Sequence, residues 1–159
     1  MSSAYSMTAE GLIELRLDLG SASFTANAEV KKVLGAYAQK IRTDAINSMR
    51  RGTKTGRKSS VRLKGRKKSF SHTASAPGEP PAVITGRLMN SITAEAIGSG
   101  LTFEVGPTVN YGRYLEQGTK NKDGSTKMDA RPFMGPALEA NVPGLENALA
   151  NAIQRALRG

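Results

Sequence analysis

The apolar residues near the start of the chain alternate with charged ones, which predicts a β-strand. Ile13, Leu15, Leu17 and Leu19 are the apolar positions, and Glu, Arg and Asp occupy the positions between them. A period of two places these apolar side chains on one face, as in a half-buried strand. Residues 1–10 are small and polar without periodicity, so we expect a loosely held end there.

A second pattern, with apolar residues every three or four positions, predicts a long helix from about Asn27 to about Arg50. Asn27 can cap its start, an effect worth about 1 kcal/mol, and Gly52 can end it. The apolar stripe of this helix is the natural partner for the apolar face of the preceding strand. The stripe consists of Val30, Val33, Leu34, Tyr37, Ile41, Ala45 and Met49.

Two alternating segments separated by Gly98-Ser99 predict a β-hairpin in the middle of the chain. A two-residue turn at that point sets a register that gathers the apolar residues on one face. In this register Glu95 and Glu104 lie on the solvent face and diagonal to one another, so we do not expect a catalytic carboxylate pair. The expected apolar pairs are Ala96 with Leu101, Ala94 with Phe103, and Ile92 with Val105.

A short helix is predicted on each side of the hairpin. Thr85 is expected to cap the first, with Leu88 on its inner side. Residues 110–117 predict the second, with Gly118 as its C-terminal stop. Residues 119–127 are polar and contain glycine, which predicts a loop. The inward-facing residues of the second short helix are expected to be Tyr111, Tyr114 and Leu115.

A turn braced by two prolines leads to the last helix. Pro132 and Pro136 bracket Phe133 and Met134, which predicts that both apolar side chains enter the core. Pro136 also suits the first turn of a following helix. After Pro143-Gly144, apolar residues at helical spacing predict a last amphipathic helix.

These elements predict an α+β fold and a single domain over residues 1–159. We expect a small antiparallel or mixed sheet, formed by the N-terminal strand and the central hairpin. The long N-terminal helix and the C-terminal helix would pack on this sheet, with a long basic loop inserted. A chain of 159 residues is long enough for one domain with a modest core.

The positive charge is concentrated in one segment. The chain has 23 Lys and Arg against 13 Asp and Glu, a formal net charge of +10. Ten of the cations lie from Arg50 to Lys68, and no acidic residue occurs between Asp44 and Glu79, so the rest of the chain is neutral. The ten are Arg50, Arg51, Lys54, Arg57, Lys58, Arg62, Lys64, Arg66, Lys67 and Lys68.

Residues 51–81 predict a basic, flexible arm that ends in prolines. Few large apolar residues occur in it, so it cannot offset its own ordering entropy by forming a core. Residues 61–64 alternate and could form a short strand if a partner supplied the other edge. The Pro-rich end, residues 77–81, is expected to be stiff and to hold the arm away from the body.

The ten cations are candidate contacts for DNA or for an acidic protein partner. Several Lys and Arg on a tether bind a nucleic-acid backbone with an affinity that depends on salt and not on sequence. Only Phe70 could stack on a base, so a specific single-strand reader is not expected. A solvated arm that binds an acidic protein surface, or that orders on assembly, fits the pattern equally well.

The residue inventory does not indicate an enzyme. Without cysteine there is no disulfide, thiol nucleophile or thiolate metal site. His72 is the only histidine and lies in the arm, where no scaffold would hold it for a triad or a metal. We therefore expect no catalytic, cofactor or metal site. No apolar run reaches membrane-spanning length and no signal peptide is evident, so we expect a soluble protein without a membrane partner.

The order of features from Ala76 to Leu138 resembles the head-to-tail joining, or tail-completion, proteins of long-tailed bacteriophages and prophages. The run Ala76-Pro77-Gly78-Glu79-Pro80-Pro81 leads into Thr85-Gly86-Arg87-Leu88, and Ala130-Arg131-Pro132-Phe133-Met134 closes the set. No single motif is specific, but the ordered set is, and it covers about a third of the chain. The positions that match the family pattern are Thr85, Gly86, Leu88, Ser91, Ile92, Tyr111, Tyr114, Glu116, Gly118, Thr119, Pro132, Phe133 and Pro136.

The resemblance implies a non-enzymatic α+β protein of the virion neck, made in the cytoplasm of the host bacterium. Such a protein forms a ring with the six-fold symmetry of the tail. It links the connector, or stopper, beneath the portal to the tail terminator or tube, and DNA in the channel is a further candidate partner. The alternatives are a tail terminator, a minor tail protein, or a nucleic-acid-binding protein acting through the basic arm.

Overall fold

The computed structural model of the chain describes residues 5–7, 13–16 and 24–158. The helices and strands in these ranges form an α+β fold, as the sequence predicts. In chain order they are β1 Tyr5–Met7, β2 Ile13–Arg16, α1 Phe24–Arg51, β3 Lys58–Val61, β4 Phe70–Thr73, α2 Arg87–Asn90, β5 Ile92–Ile97, β6 Thr102–Pro107, α3 Tyr111–Gln117, β7 Thr119–Lys120, β8 Thr126–Met128 and α4 Met134–Arg158.

An antiparallel sheet has the strand order β1-β2-β6-β5. The predicted N-terminal strand is β2, and the part of its pattern beyond Arg16 lies outside the described residues. β1 pairs with β2, with Met7 opposite Ile13, so the expectation of a loosely held end is wrong for residues 5–7. Three residues are too few to show a period, and pairing with the edge of β2 is what makes them a strand.

The central hairpin is present, but its register differs from the predicted one by two residues. The connection between β5 and β6 contains Gly98 and Gly100, both with positive φ. The Gly100 amide donates to the Ile97 carbonyl at 3.2 Å, so the chain turns over more residues than expected. A shift by two keeps each side chain on its predicted face, because a strand has a period of two. The observed pairs include Ile92 with Pro107, Ala94 with Val105, and Ala96 with Phe103.

α1 is the long helix that the sequence predicts, although it begins earlier than expected. It spans Phe24–Arg51, so Asn27 lies inside it and is not its cap. One cap contributes only about 1 kcal/mol, too little to decide where so long a helix begins. The Gly52 amide donates to the Ser48 carbonyl at 2.8 Å where the helix ends, as predicted. The buried stripe consists of Val30, Leu34, Ala38, Ile41, Ala45 and Met49.

α4 is one continuous helix, and the expectation that the last helix begins after Pro143-Gly144 is wrong. It begins at Met134 and contains Pro143 in its interior. A proline leaves the carbonyl four residues earlier without its helical partner. Pro143 and Glu139 are both exposed, so water can satisfy that carbonyl. Pro136 lies in the first turn, where a proline was expected.

The core lies among the sheet, α1 and α4, with α1 in contact with both of the others. Ile13, Ile92 and Val105 enter it from the sheet. Phe133 and Met134 enter it from the start of α4, and both are 0% exposed. The predicted insertion of these two side chains into the core is therefore confirmed.

Candidate functional site

The basic segment contains a two-stranded hairpin where the sequence predicted a loop. β3 pairs antiparallel with β4, from Lys58 opposite Thr73 to Val61 opposite Phe70. The alternating residues around Val61 needed a second strand to pair with, and β4 of the same chain supplies it. The half-buried Val61 and Phe70 form an apolar cross-strand pair, which contributes about 0.2 to 1 kcal/mol. The flexibility expected of residues 51–81 stays a prediction.

A single carboxylate joins the two ends of this hairpin at its base. Glu79 accepts hydrogen bonds from the Thr55 hydroxyl at 2.6 Å, the Thr55 amide at 2.9 Å and the Ala76 amide at 2.8 Å. The Thr55 hydroxyl and these amides lower the pKa of Glu79, and the nearby Lys54 adds to the effect. Burial lowers the pKa of Lys54 itself, against the opposing influence of Glu79. We call Thr55, Ala76 and Glu79 the clasp.

The Pro-rich end of the segment packs on the body. The Gly78 amide donates to the Ala130 carbonyl at 2.9 Å, and the Arg131 guanidinium donates to the Ser75 carbonyl at 3.3 Å. Ser75 and Pro81 are buried. The expectation that residues 77–81 hold the arm away from the body is therefore wrong. Unlike a free linker, residues 77–81 are hydrogen-bonded to the segment that leads to α4.

Nine of the ten candidate cations are exposed, and Lys54 is half-buried. Its ammonium group donates to the carbonyl of Gly52 at 2.9 Å, so it belongs to the base of the hairpin. Two more lie on the last turn of α1, where the side chain of Arg50 contacts the Met89 sulfur at 3.1 Å. The remaining seven, which lie on β3 or beside it and in the connection to β4, are Arg57, Lys58, Arg62, Lys64, Arg66, Lys67 and Lys68.

A second carboxylate, that of Glu116, caps the start of α4. One oxygen accepts from the amides of Phe133 at 2.8 Å and Met134 at 3.0 Å, and the other accepts from the amide of Gly135 at 2.8 Å. Glu116 is 7% exposed. A carboxylate at a helix N-terminus satisfies free amides and opposes the positive end of the helix dipole. This contact joins Glu116 to the amide of Phe133, and both residues match the family pattern.

The prediction that Tyr111 and Tyr114 lie on the inward face of α3 is wrong. Tyr111 and Tyr114 are 38% and 43% exposed. Leu115 packs against the core as predicted, and Glu116 and Gly112 are the buried residues of the helix. The burial of a charged residue was missed because its partners, three backbone amides, are not visible in a residue pattern. The sequence carries one indication that a distant side chain caps α4, because no Ser, Thr, Asp or Asn lies just before it.

Gly118 ends α3 as predicted and starts a second hairpin. Its φ is 73°, and a Cβ there would lie 2.6 Å from the Met128 carbonyl oxygen, so a side chain is excluded on two grounds. Thr119 then pairs with Met128 in the β7–β8 hairpin. The expected loop at residues 119–127 is therefore partly a hairpin.

Three further family-pattern residues, Thr85, Gly86 and Ser91, lie at the two ends of α2. Gly86 is the N-cap of α2 and Thr85 is not, although the Thr85 hydroxyl accepts from the Arg87 amide at 3.3 Å. The carbonyl of Ser91 accepts from the Thr108 amide at 2.9 Å, which ties α2 to the end of β6. Leu88 and Ile92 pack in the core, as predicted, and Pro132 is half-buried before α4.

An open, mainly apolar groove of about 310 Å³ lies beside α2, and the sequence did not indicate it. Val83 and Ile84 are exposed along it, and its ionisable lining residues are His72, Arg87, Tyr111 and Arg131. Ser75 also lines the groove.

Glu95 and Glu104, the carboxylates of the β5–β6 hairpin, lie closer together than predicted. Glu95 on β5 is directly opposite Glu104, not diagonal to it, and Glu14 on β2 is directly opposite Glu104 on the other side. Glu95 and Glu104 line a shallow depression with Arg113. The two-residue shift in register is the reason for the difference. Like charges directly opposite each other destabilise a strand pair, so this arrangement does not contribute to folding.

Within the part of the chain that the structure describes, no cluster of three or more His, Cys, Asp or Glu could hold a metal ion. No helix in the same ranges combines the length and apolar content needed to cross a bilayer.

No protein-family model, curated protein or solved structure matches the chain.

Proposed function

We propose that this chain is a structural, non-enzymatic virion protein of a tailed bacteriophage or prophage, which joins the head connector to the tail as a ring in the neck. The observation that supports it best is that most of the buried or half-buried family-pattern residues act as a scaffold. Glu116 caps the helix that follows Phe133, and Gly118 allows the chain before β7 to lie close to the Met128 carbonyl at the end of β8. Residues with this role build a rigid subunit rather than a reactive site.

The surface suits a subunit with several neighbours. A closed ring needs two different complementary faces on each copy, and a neck ring also contacts the rings above and below. Tyr111, Tyr114, Val83 and Ile84 are exposed on the body. Tyrosine is enriched where proteins meet, because it combines a large apolar ring with a polar tip. The proposed partners are further copies of the chain, the connector or stopper, and the tail terminator or tube.

Inactivation of the gene in the phage or prophage that encodes the chain tests this function. We expect DNA-filled heads and free tails of normal length, and addition of the purified chain should restore joined, infectious particles. A matched addition of purified chain with Gly118 replaced by Val, which the Met128 carbonyl excludes, should not restore joining.

Two results would contradict the proposal. If joined particles form without the chain, the proposed function is wrong. Free tails of abnormal length would favour a tail terminator instead, because a terminator ends the growth of the tube.

A further inference from the structure

The tip of the β3–β4 hairpin presents a dense cluster of positive charge to solvent. The Arg66 amide donates to the Leu63 carbonyl at 3.0 Å, and Gly65 has a φ of 85°, so the chain turns tightly there. Apart from Gly65 and its two chain neighbours, no heavy atom of the described residues lies within 4 Å of the position that a Gly65 Cβ would take. The exposed cations around this turn are Arg62, Lys64, Arg66, Lys67 and Lys68.

One face of the β3–β4 hairpin offers several hydrogen-bond donors and carries no negative charge. Lys58 and Ser60 on β3 pair with Thr73 and Ser71 on β4, and paired residues share a face. Lys58, Ser60 and Ser71 are exposed. Ammonium and hydroxyl groups are donors that proteins use toward phosphate oxygens. The nearest acid in sequence, Glu79, is held in the clasp at the base and does not neutralise this face.

The hairpin lacks the features of a protein-binding surface. Protein interfaces have an apolar and aromatic centre from which charged residues are depleted. The large apolar residues of the hairpin, Val61, Leu63 and Phe70, are all half-buried, and what it exposes is charged or hydroxylated. A surface of this kind matches a phosphate backbone better than an acidic protein.

The hairpin lacks two of the side-chain types by which proteins read bases, the amides of Asn and Gln and exposed aromatic rings. No Asn or Gln occurs between Asn47 and Asn90, so no side-chain amide can pair with adenine. Single-strand binding relies on exposed aromatic rings that stack on bases. Phe70, the only Phe, Tyr or Trp among residues 58–73, is paired with Val61.

We propose that the β3–β4 hairpin binds the phosphate backbone of duplex DNA without reading its sequence. That this DNA is the phage genome in the neck channel rests on the proposed function; the binding itself does not. The clasp joins the two ends of the hairpin to each other, and the Gly78–Ala130 and Arg131–Ser75 hydrogen bonds tie the end after β4 to the body.

Binding of the purified chain to labelled DNA duplexes of unrelated sequence tests the proposal, with fluorescence anisotropy measured between about 50 and about 200 mM salt. One variant has Lys64, Lys67 and Lys68 replaced by Gln. The matched control has Gln at Lys120, Lys122 and Lys127, three exposed lysines of the β7–β8 hairpin and its connection. The two variants have the same net charge.

We expect the wild type to bind all duplexes equally. The slope of log affinity against log salt should fall in magnitude by about 2.7 in the first variant, about 0.9 for each lost phosphate contact, and should not change in the control. Equal slopes in both variants, or no binding by the wild type, would overturn the proposal.

Excision of the hairpin provides an independent variant. The Ala74 amide donates to the Arg57 carbonyl at 3.0 Å, so residues 58–73 can be replaced by a two-residue Asn-Gly turn. We expect DNA binding to be lost and the melting temperature to stay within a few degrees of the wild type. Retained binding would overturn the proposal.

A photoreactive residue in place of Lys67, in assembled particles, identifies the partner there. Crosslinks to DNA support the proposal, and crosslinks to protein alone would assign the hairpin to an acidic protein surface and overturn it. The two proposals fail separately. Duplex binding without head-to-tail joining would remove only the proposed function, and joining without duplex binding would remove only the DNA contact.

Discussion

The carboxylate of Glu116 replaces the local cap that the start of α4 lacks. The residues just before α4 are Pro132 and Phe133, and neither has a side-chain oxygen for the first amides of the helix. Buried amides without an acceptor are costly, so the acceptor must come from elsewhere. Glu116 supplies it from α3, 17 residues away from Phe133 in the chain. One side chain thereby connects two helices.

Replacement of Glu116 by Ala should lower the free energy of unfolding by about 2 to 3 kcal/mol, because it leaves buried amides without a charged acceptor. Chemical denaturation measures the change. Glu139→Ala is the matched control, since Glu139 is an exposed residue of α4, and it should change stability by less than about 0.5 kcal/mol. Equal effects of the two substitutions would show that the cap is not important for stability.

At the scale of elements, the clasp is what makes the basic segment part of the fold. A two-stranded hairpin alone is marginal in water. Here Glu79 joins the chain before β3 to the chain after β4, and the Gly56 amide adds a bond to the Ala74 carbonyl at 3.0 Å. The hairpin therefore starts from two anchored ends, although its tip is surrounded by solvent.

The clasp should open in acid. The hydrogen bonds from Thr55 and Ala76 lower the pKa of Glu79 below its ordinary value of 4.5. A group whose pKa is lower in the folded state contributes stability above its unfolded pKa and loses it as pH falls through the folded value. We therefore expect the NMR amide shifts of Thr55 and Ala76 to titrate together below pH 4.5.

Glu79→Gln should abolish this titration, and Glu146→Gln, an exposed residue of α4, should leave it unchanged. Amide shifts that stay constant through the same acid range in the wild type would contradict the role of the clasp.

At the scale of the whole molecule, a packed body is combined with a charged hairpin that lies outside the core. The buried residues of the apolar core come from the sheet, α1, Phe133 and α4, and none belongs to β3 or β4. The net charge of the chain lies on and beside that hairpin. Folding and charge-dependent binding are therefore carried by different parts of the structure.

Hydrogen exchange should distinguish these parts. In the free chain we expect amides of residues 58–73 to exchange faster than those of α1, because few buried contacts oppose their opening. In assembled particles the hairpin amides should become protected, while Leu34 and Ile41 of α1 stay protected in both states. Equal protection of the hairpin in the free and assembled chain would contradict ordering on assembly.

The sequence by itself determined the features that depend on neighbouring residues. The period of apolar positions was enough to predict α1, β2 and the faces of the central hairpin, and the prolines around Phe133 predicted its burial. The charge count located the basic segment. These predictions succeeded because a helix or strand places its side chains by local geometry alone.

Only the tertiary structure decided what depends on how distant segments meet. Examples are the pairing of β1 with β2, the continuation of α4 through Pro143, and the roles of Glu79 and Glu116 as acceptors for backbone amides. The hairpin register belongs here as well, since two glycines allow more than one turn and packing selects between them. Backbone amides are the same in every residue, so no pattern of side chains reveals which of them a distant carboxylate will bind.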